Sequence, residues 1–218
     1  MLLNGRGTTA TARLVTAGGR QVEVEVEAVT RHRAPSPVLV LAQSLPKQKA
    51  AAALLRHATE IGVRVLQPLT SEHGEVQLKG GRAGDKASRL AAGAAEACKQ
   101  SGNPFLPEIR EVTGLTDWLA TLPAADAGEL RLVASLRPGA AALPAIARAG
   151  GEPPGRVLWL VGPEGDFSGR EYALAEDAGF RHVRLGPWVL RSETAALYAL
   201  AAGQQLFAPG AGSEKKPA

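Results

Sequence analysis

The chain has 218 residues, 45% hydrophobic and 21% charged, with a formal net charge of +4. The length suits one large domain or a domain plus a fragment, and the balance is ordinary for a soluble globular protein. No apolar run approaches the ~20 residues of a membrane helix, and the positive balance is compatible with a polyanionic partner without establishing one.

At the start, MLLNGRGTTA has no charged segment followed by an apolar core, so it does not read as a signal peptide. Leu2 and Leu3 suggest a short strand, with turns at Asn4-Gly5 and Gly18-Gly19. In VEVEVEAV, Val22 to Val29, valine alternates with acidic residues. This is the period-2 pattern of a half-buried antiparallel strand. Residues 1–33 therefore predict a small β element, too short to bury a core of its own. RHRAPSP, from Arg31, reads as a linker because its prolines block helix and interior strand.

From Val38 the pattern changes to continuous apolar runs separated by helical periods. Strand VLVLA precedes a helix from about Lys47 to Ile61, stopped by Gly62. Strand VRVLQ precedes a long helix, Asp85 to Ser101, with Asp85 as candidate N-cap and Gly102 as stop. A short helix, Thr116 to Leu122, leads to strand LRLVASL at Leu130. A helical stretch, Leu143 to Arg148, leads to strand RVLWLVG. A helix from Arg170 to Gly179, strand HVRLG and a last helix from Ser192 to Phe207 complete the series. Strands buried on both faces read in this way, so the expected fold is α/β, a parallel sheet with helices on both faces. The tail from Pro209, PGAGSEKKPA, has the composition of a disordered end. Cys98 is the single cysteine, so no internal disulfide is possible, which fits a cytoplasmic setting. Within its helical pattern it reads as a small core residue. His32, His57, His73 and His182 show no metal-ligand spacing, and no metal is expected.

Two loops carry the chemistry. GPEGDFSGREYALAEDAG follows one buried strand. Ser168 and Glu171 form an S-x-x-E capping box, a structural signal. Glu164 lies in a Gly-Pro-x-Gly turn at the carboxyl end of a strand, where ligands bind in open α/β sheets. The loop alone leaves open a solvated turn glutamate. LGPWVLRSETAALYALAAG follows the next strand. Trp188, Val189 and Leu190 are too apolar for a solvated loop and must pack on core or ligand. Ser192 is a candidate N-cap, and Glu193 complements the helix dipole. Arg191 gains nothing at the positive end of a helix, so a ligand or a partner carboxylate explains it better. His57 and Glu60 share a helix face, an arrangement that is usually a solvated contact.

The blocks LRHATEIGVRVLQPLTSEHGEV, EACKQSGNPFLPEI, GPEGDFSGREYALA and LGPWVLRSETAA, in this order, resemble the bacterial 16S ribosomal RNA uridine N3-methyltransferase family. QSLPKQK is similar to the segment leading into that family's HATEIG helix, and the resemblance spans about Val38 to Phe207. It implies a SPOUT-class, S-adenosylmethionine-dependent methyltransferase. The implied fold is a parallel α/β domain with a C-terminal trefoil knot, preceded by a PUA-like β-barrel. MLLNGRGTTATARLV resembles only the later part of that barrel, which leaves strand edges unpaired. The implied division is a partial PUA-like element at 1–33, the methyltransferase domain at 34–208 and a tail at 209–218. Further implications are a cytoplasmic homodimer with no membrane association, acting on 16S rRNA of the small ribosomal subunit.

By motif position, the resemblance assigns the cofactor to Val161, Gly162, Pro163, Glu164 and Gly165 of the first loop and Leu185, Gly186, Val189, Leu190 and Thr194 of the second. Ser135 and Leu136 form a third wall. Arg191, Glu193 and Glu164 match the polar active-site residues. Arg191 would stabilise negative charge on a uracil carbonyl, and Glu193 or Glu164 would accept the N3 proton. The chain departs from the family in four places. Asp166 stands where members usually carry glycine, His57 where they carry lysine, and His73 and Asn103 where they carry arginine. Three of these changes remove fixed positive charge, which bears on phosphate contacts. Two other readings share the resemblance: a SPOUT-class enzyme with a different RNA target, or a catalytically weak RNA-binding or assembly protein.

Overall fold

The computed structural model describes residues 1–19, 21–75, 83–149 and 151–208, and the tail expected from Pro209 lies outside them. Near the N-terminus, β1 (Leu2–Leu3), β2 (Thr8–Gly18) and β3 (Gln21–Arg31) form an antiparallel sheet in that order. The rest alternates. The long strands are β4 (Val38–Ser44), β5 (Val65–Thr70), β8 (Glu129–Ala134), β10 (Arg156–Val161) and β11 (Arg181–Arg184). Two-residue strands β6 (Glu108–Ile109), β7 (Thr113–Gly114) and β9 (Ala141–Ala142) lie among them. The helices are α1 (Gln48–Ile61), α2 (Ala83–Ser101), α3 (Leu115–Thr121), α4 (Leu143–Ala149), α5 (Gly169–Asp177) and α6 (Ser192–Phe207). All pairings in this second sheet are parallel, in the order β6-β5-β4-β10-β8-β11-β9, with β7 also on β5.

The apolar strands bury both faces because alternate side chains enter different cores. Leu39, Leu41, Val157, Trp159 and Val161 pack with residues of α1, α4 and α6. Val40, Ala42, Leu158 and Leu160 pack with α3 and α5. The expected two-sided layering is thus present. Close approach of α6 to the sheet requires Gly203, since a Cβ there would sit 2.9 Å from Trp159 Nε1. Cys98 is a buried free thiol, and burial pushes its pKa up, as befits an unreactive core residue. No described helix is long and apolar enough to cross a membrane.

Several elements and boundaries differ from the sequence reading, α3 and α5 by a residue or two and four others more informatively. β2 was not anticipated: its alternation is broken by register shifts between Thr11 and Ala12 and between Leu14 and Thr16. β3 runs through Arg31, into the expected linker. β5 starts at Val65 and includes Pro68, later than the apolar run at Val63 suggested. α2 begins at Ala83, so Asp85 is inside the helix and is not its cap.

A larger correction concerns burial. Every residue of β3 is exposed, not half-buried. The pairing puts Leu14 opposite Val24 and Ala12 opposite Val26, while Arg13 faces Glu25 and Thr16 faces Glu23. The ribbon is therefore amphipathic, with Arg13 paired to Glu25 on its polar side. Among the described residues its apolar side is left uncovered, with Val22 67% exposed. At its base the ribbon meets the segment between α2 and β6 through Gly7 N–H to the Pro104 carbonyl and Leu106 N–H to the Gly5 carbonyl, each 2.9 Å. Gly7 has φ +88°, and a Cβ there would collide with the Phe105 ring, so both the turn and the contact demand glycine.

Candidate active site

The carboxyl ends of three neighbouring strands, β10, β8 and β11, open onto one cleft at the N-terminus of α6. It is an open cleft, enclosing only about 90 Å³ apart from the solvent at its mouth. Val161, Gly162, Pro163 and Glu164 form one wall, Leu185, Gly186, Val189 and Leu190 the second, and Ser135 and Leu136 the third. These are ten of the sequence-assigned positions. Gly165 and Thr194 do not line the cleft, and neither do Arg191 and Glu193. Arg191 is exposed and stands between Leu190 and Ser192, which do line it.

Ser192 is not the N-cap. Arg191 takes that position without a side-chain capping bond, and Ser192 is the first helical residue. Its hydroxyl is buried and serves a different purpose. Ser192 Oγ donates to the Gly162 carbonyl at 2.6 Å and accepts from Gln43 Nε2 at 2.7 Å. Gln43, fully buried at the end of β4, also donates to the Ser44 carbonyl. One amide and one hydroxyl therefore lock α6 to the loop after β10. Sequence reasoning missed this pair, although a glutamine inside the run VLVLAQS was a visible anomaly, because buried amides need partners.

The loop after β10 is anchored from outside as well. The expected capping box is present on α5, with Ser168 Oγ accepting from Glu171 N–H and Glu171 Oε2 from Ser168 N–H. Glu171 Oε1 also accepts from Glu72 N–H at 2.8 Å, which ties in the segment after β5. From that segment His73 Nδ1 donates to the carbonyls of Gly165 and Asp166. Asn103 likewise supports the backbone, donating to the Thr59 carbonyl and accepting from Phe105 N–H. His57 is half-buried beside Arg56. Lys47 Nζ lies 2.9 Å from Glu75, and that hydrogen bond, with a weaker pull from Glu164, raises the ammonium's pKa.

Beneath the cleft a hydrogen-bonded cluster joins β8, β11 and α5. His182 Nε2 donates to Glu176 at 2.8 Å, and Nδ1 lies 3.0 Å from the Ser135 hydroxyl. Arg137 meets the same Glu176 carboxylate and stacks over the Tyr172 ring. Tyr172 donates to Asp166 Oδ1 at 2.6 Å. Burial first, and this bond second, raise the tyrosine's pKa. Large apolar side chains frame the mouth: Leu136, Trp188 and Val189 are all well exposed. An apolar wall with polar strand ends suits a flat heterocycle carrying a polar chain.

Residues 33–204 match the RNA methyltransferase domain family. This chain belongs to the RNA methyltransferase family, in its small-subunit methyltransferase E branch. It is 30% identical over 201 residues to the ribosomal RNA small subunit methyltransferase E of Synechocystis, covering 92% of this chain and 64% of that one. The Aquifex aeolicus protein of the same name is 29% identical, covering 81% and 72%. The chain thus spans less than two thirds of the Synechocystis relative. The structure of the Neisseria gonorrhoeae methyltransferase E bound to S-adenosylmethionine superposes with TM-score 0.82 at 30% identity, covering 94% of this chain and 81% of that one. A Legionella pneumophila structure, also in complex with S-adenosylmethionine, gives 0.81 at 29%, covering 93% and 81%. The α/β fold of this chain is therefore SPOUT-like, a parallel sheet with flanking helices.

Proposed function

We propose that the chain transfers a methyl group from S-adenosylmethionine to N3 of a uridine in 16S ribosomal RNA of the small subunit. The carrying observation is the cleft, where three strand ends meet the N-terminus of α6 and ten motif-assigned residues converge. Two relatives that share the fold over most of their length hold this cofactor. The residues present fit it in their chemistry: an open cleft with an apolar wall and a carboxylate-bearing turn. Bound there, S-adenosylmethionine supplies an electrophilic methyl on a sulfonium.

The chain's own residues then do three things. Leu185, Val189, Leu190 and Ser135 position the adenosine and methionine parts. Arg191 donates to a uracil carbonyl as charge spreads onto oxygen, a role its place between cleft and solvent permits. Glu193 or Glu164 accepts the N3 proton, so that the N3–methyl bond forms as the sulfur–methyl bond breaks. We further propose that the C-terminal loops form a trefoil knot, that two chains pair around it in a cytoplasmic homodimer, and that 1–33 belongs to a PUA-like RNA-binding element, with 34–208 as the catalytic domain.

Incubation with unmethylated small subunits and labelled cofactor tests the reading by nucleoside analysis. 3-Methyluridine is expected. A different methylated nucleoside would reassign the target within the class, and cofactor binding without transfer would favour the assembly-protein reading.

A further inference from the structure

Asp166 is the only non-glycine residue with positive φ among the described residues, at +61°. Glycine would adopt this backbone without strain, and aspartate is tolerated there at some cost. The turn around it is fixed from three directions. Its carbonyl accepts from His73 Nδ1, its Oδ1 accepts from Phe167 N–H at 2.9 Å, and the same oxygen accepts from Tyr172. Tyr172 is itself immobile: buried, edge-on to Phe167, and covered by His182 and Arg137. The carboxylate is therefore placed rigidly, and Asp166 lines the cleft beside Glu164. The other charged residues lining the cleft are Glu164 and Arg184, and Arg137 lies across the Tyr172 ring. Among the described residues Asp166 forms no ion pair, and its Oδ2 takes no hydrogen bond.

We propose that Asp166 is a specificity-determining residue, a fixed anion that makes the cleft favour the cationic methyl donor over its neutral, demethylated product. The inference rests on the S-adenosylmethionine reading above. The two ligands share the adenosine, the ammonium and the carboxylate, and differ in a methyl and in one positive charge at sulfur. A carboxylate fixed in a partly desolvated cleft attracts that charge more strongly than it would in water. The charge disappears on transfer, so the same group loosens the spent cofactor and assists turnover.

Calorimetric titration of the full chain with S-adenosylmethionine and with S-adenosylhomocysteine tests this. Asp166→Asn keeps the oxygen that accepts from Tyr172 and removes the charge. Asp166→Gly removes both and relieves the backbone, so it keeps the test valid if the asparagine variant folds poorly. Both variants are expected to lower the preference for the sulfonium ligand about fivefold or more, through weaker donor binding, with homocysteine-ligand affinity held within about twofold. An unchanged preference in both variants, or equal weakening for both ligands, overturns the proposal. If the wild-type chain binds neither ligand, the cofactor reading itself fails, a result distinct from either of these.

Discussion

The cleft and the N-terminal ribbon solve opposite problems. At the strand ends, polar groups removed from water find partners: Gln43 Nε2 with Ser192, Ser192 with Gly162, Glu171 with two amides, while Gln43 Oε1 takes no hydrogen bond among the described residues. In the ribbon, a clear apolar side of Val22, Val24, Val26 and Leu14 meets no partner within the described residues. Alternation specifies which side of a strand is apolar, and a second element must still cover that side before burial follows. At the cleft these bonds tie the loops after β5 and β10 to α5 and α6.

Substitutions that break this contrast should differ greatly in effect. The largest stability loss is expected at Arg131, whose guanidinium is buried beside Glu129 and donates to the carbonyls of Ala178 and Pro123. Arg131→Ala should cost about 3–5 kcal/mol by denaturant titration, because it strips a buried charge network of its centre. For catalysis, Arg191→Ala should lower methyl transfer by about 10²–10³-fold, as removal of an oxyanion donor does, with cofactor affinity little changed. Equal turnover in that variant rejects the assigned role.

Ser192→Ala removes the bond between α6 and Gly162 and leaves the Gln43 amide one partner short. A loss of about 1–3 kcal/mol is expected, together with weaker cofactor binding in the same titration. Gly203→Ala forces a Cβ against the Trp159 indole and should cost about 1–3 kcal/mol through overpacking. At the other extreme, Val26→Thr in the ribbon should change stability by less than about 0.5 kcal/mol and leave cofactor binding intact. A large loss there would mean that the ribbon's apolar side is covered in solution.

Much of the methyltransferase domain was legible because long elements declare themselves. The apolar run RVLWLVG at β10 and the period of α1 both appear where their residues are buried on two faces or on one. Gly62 adopts the left-handed cap that its position implied, and the Ser168–Glu171 box closes as its spacing required. The two-residue strands carry too few residues for any period to show. β2 was hidden by its two irregularities and by threonines and alanines that mark neither side strongly. At the site, the two loops were found from their turns and apolar content. The bond between Gln43 and Ser192 was not, since local pattern says nothing about partners 149 positions apart. For the same reason a serine at the start of α6 reads as a cap from local sequence, whereas its hydroxyl donates to the Gly162 carbonyl.

The central claim is that the loops after β8, β10 and β11 enclose the methyl donor. A crystal structure of the chain with S-adenosylmethionine tests it most directly. The account predicts the ligand between Ser135–Leu136, Gly162–Glu164 and Leu185–Leu190, with Arg191 at its methyl end. A ligand bound elsewhere, or those loops closed on one another with the donor excluded at saturating concentration, would contradict it.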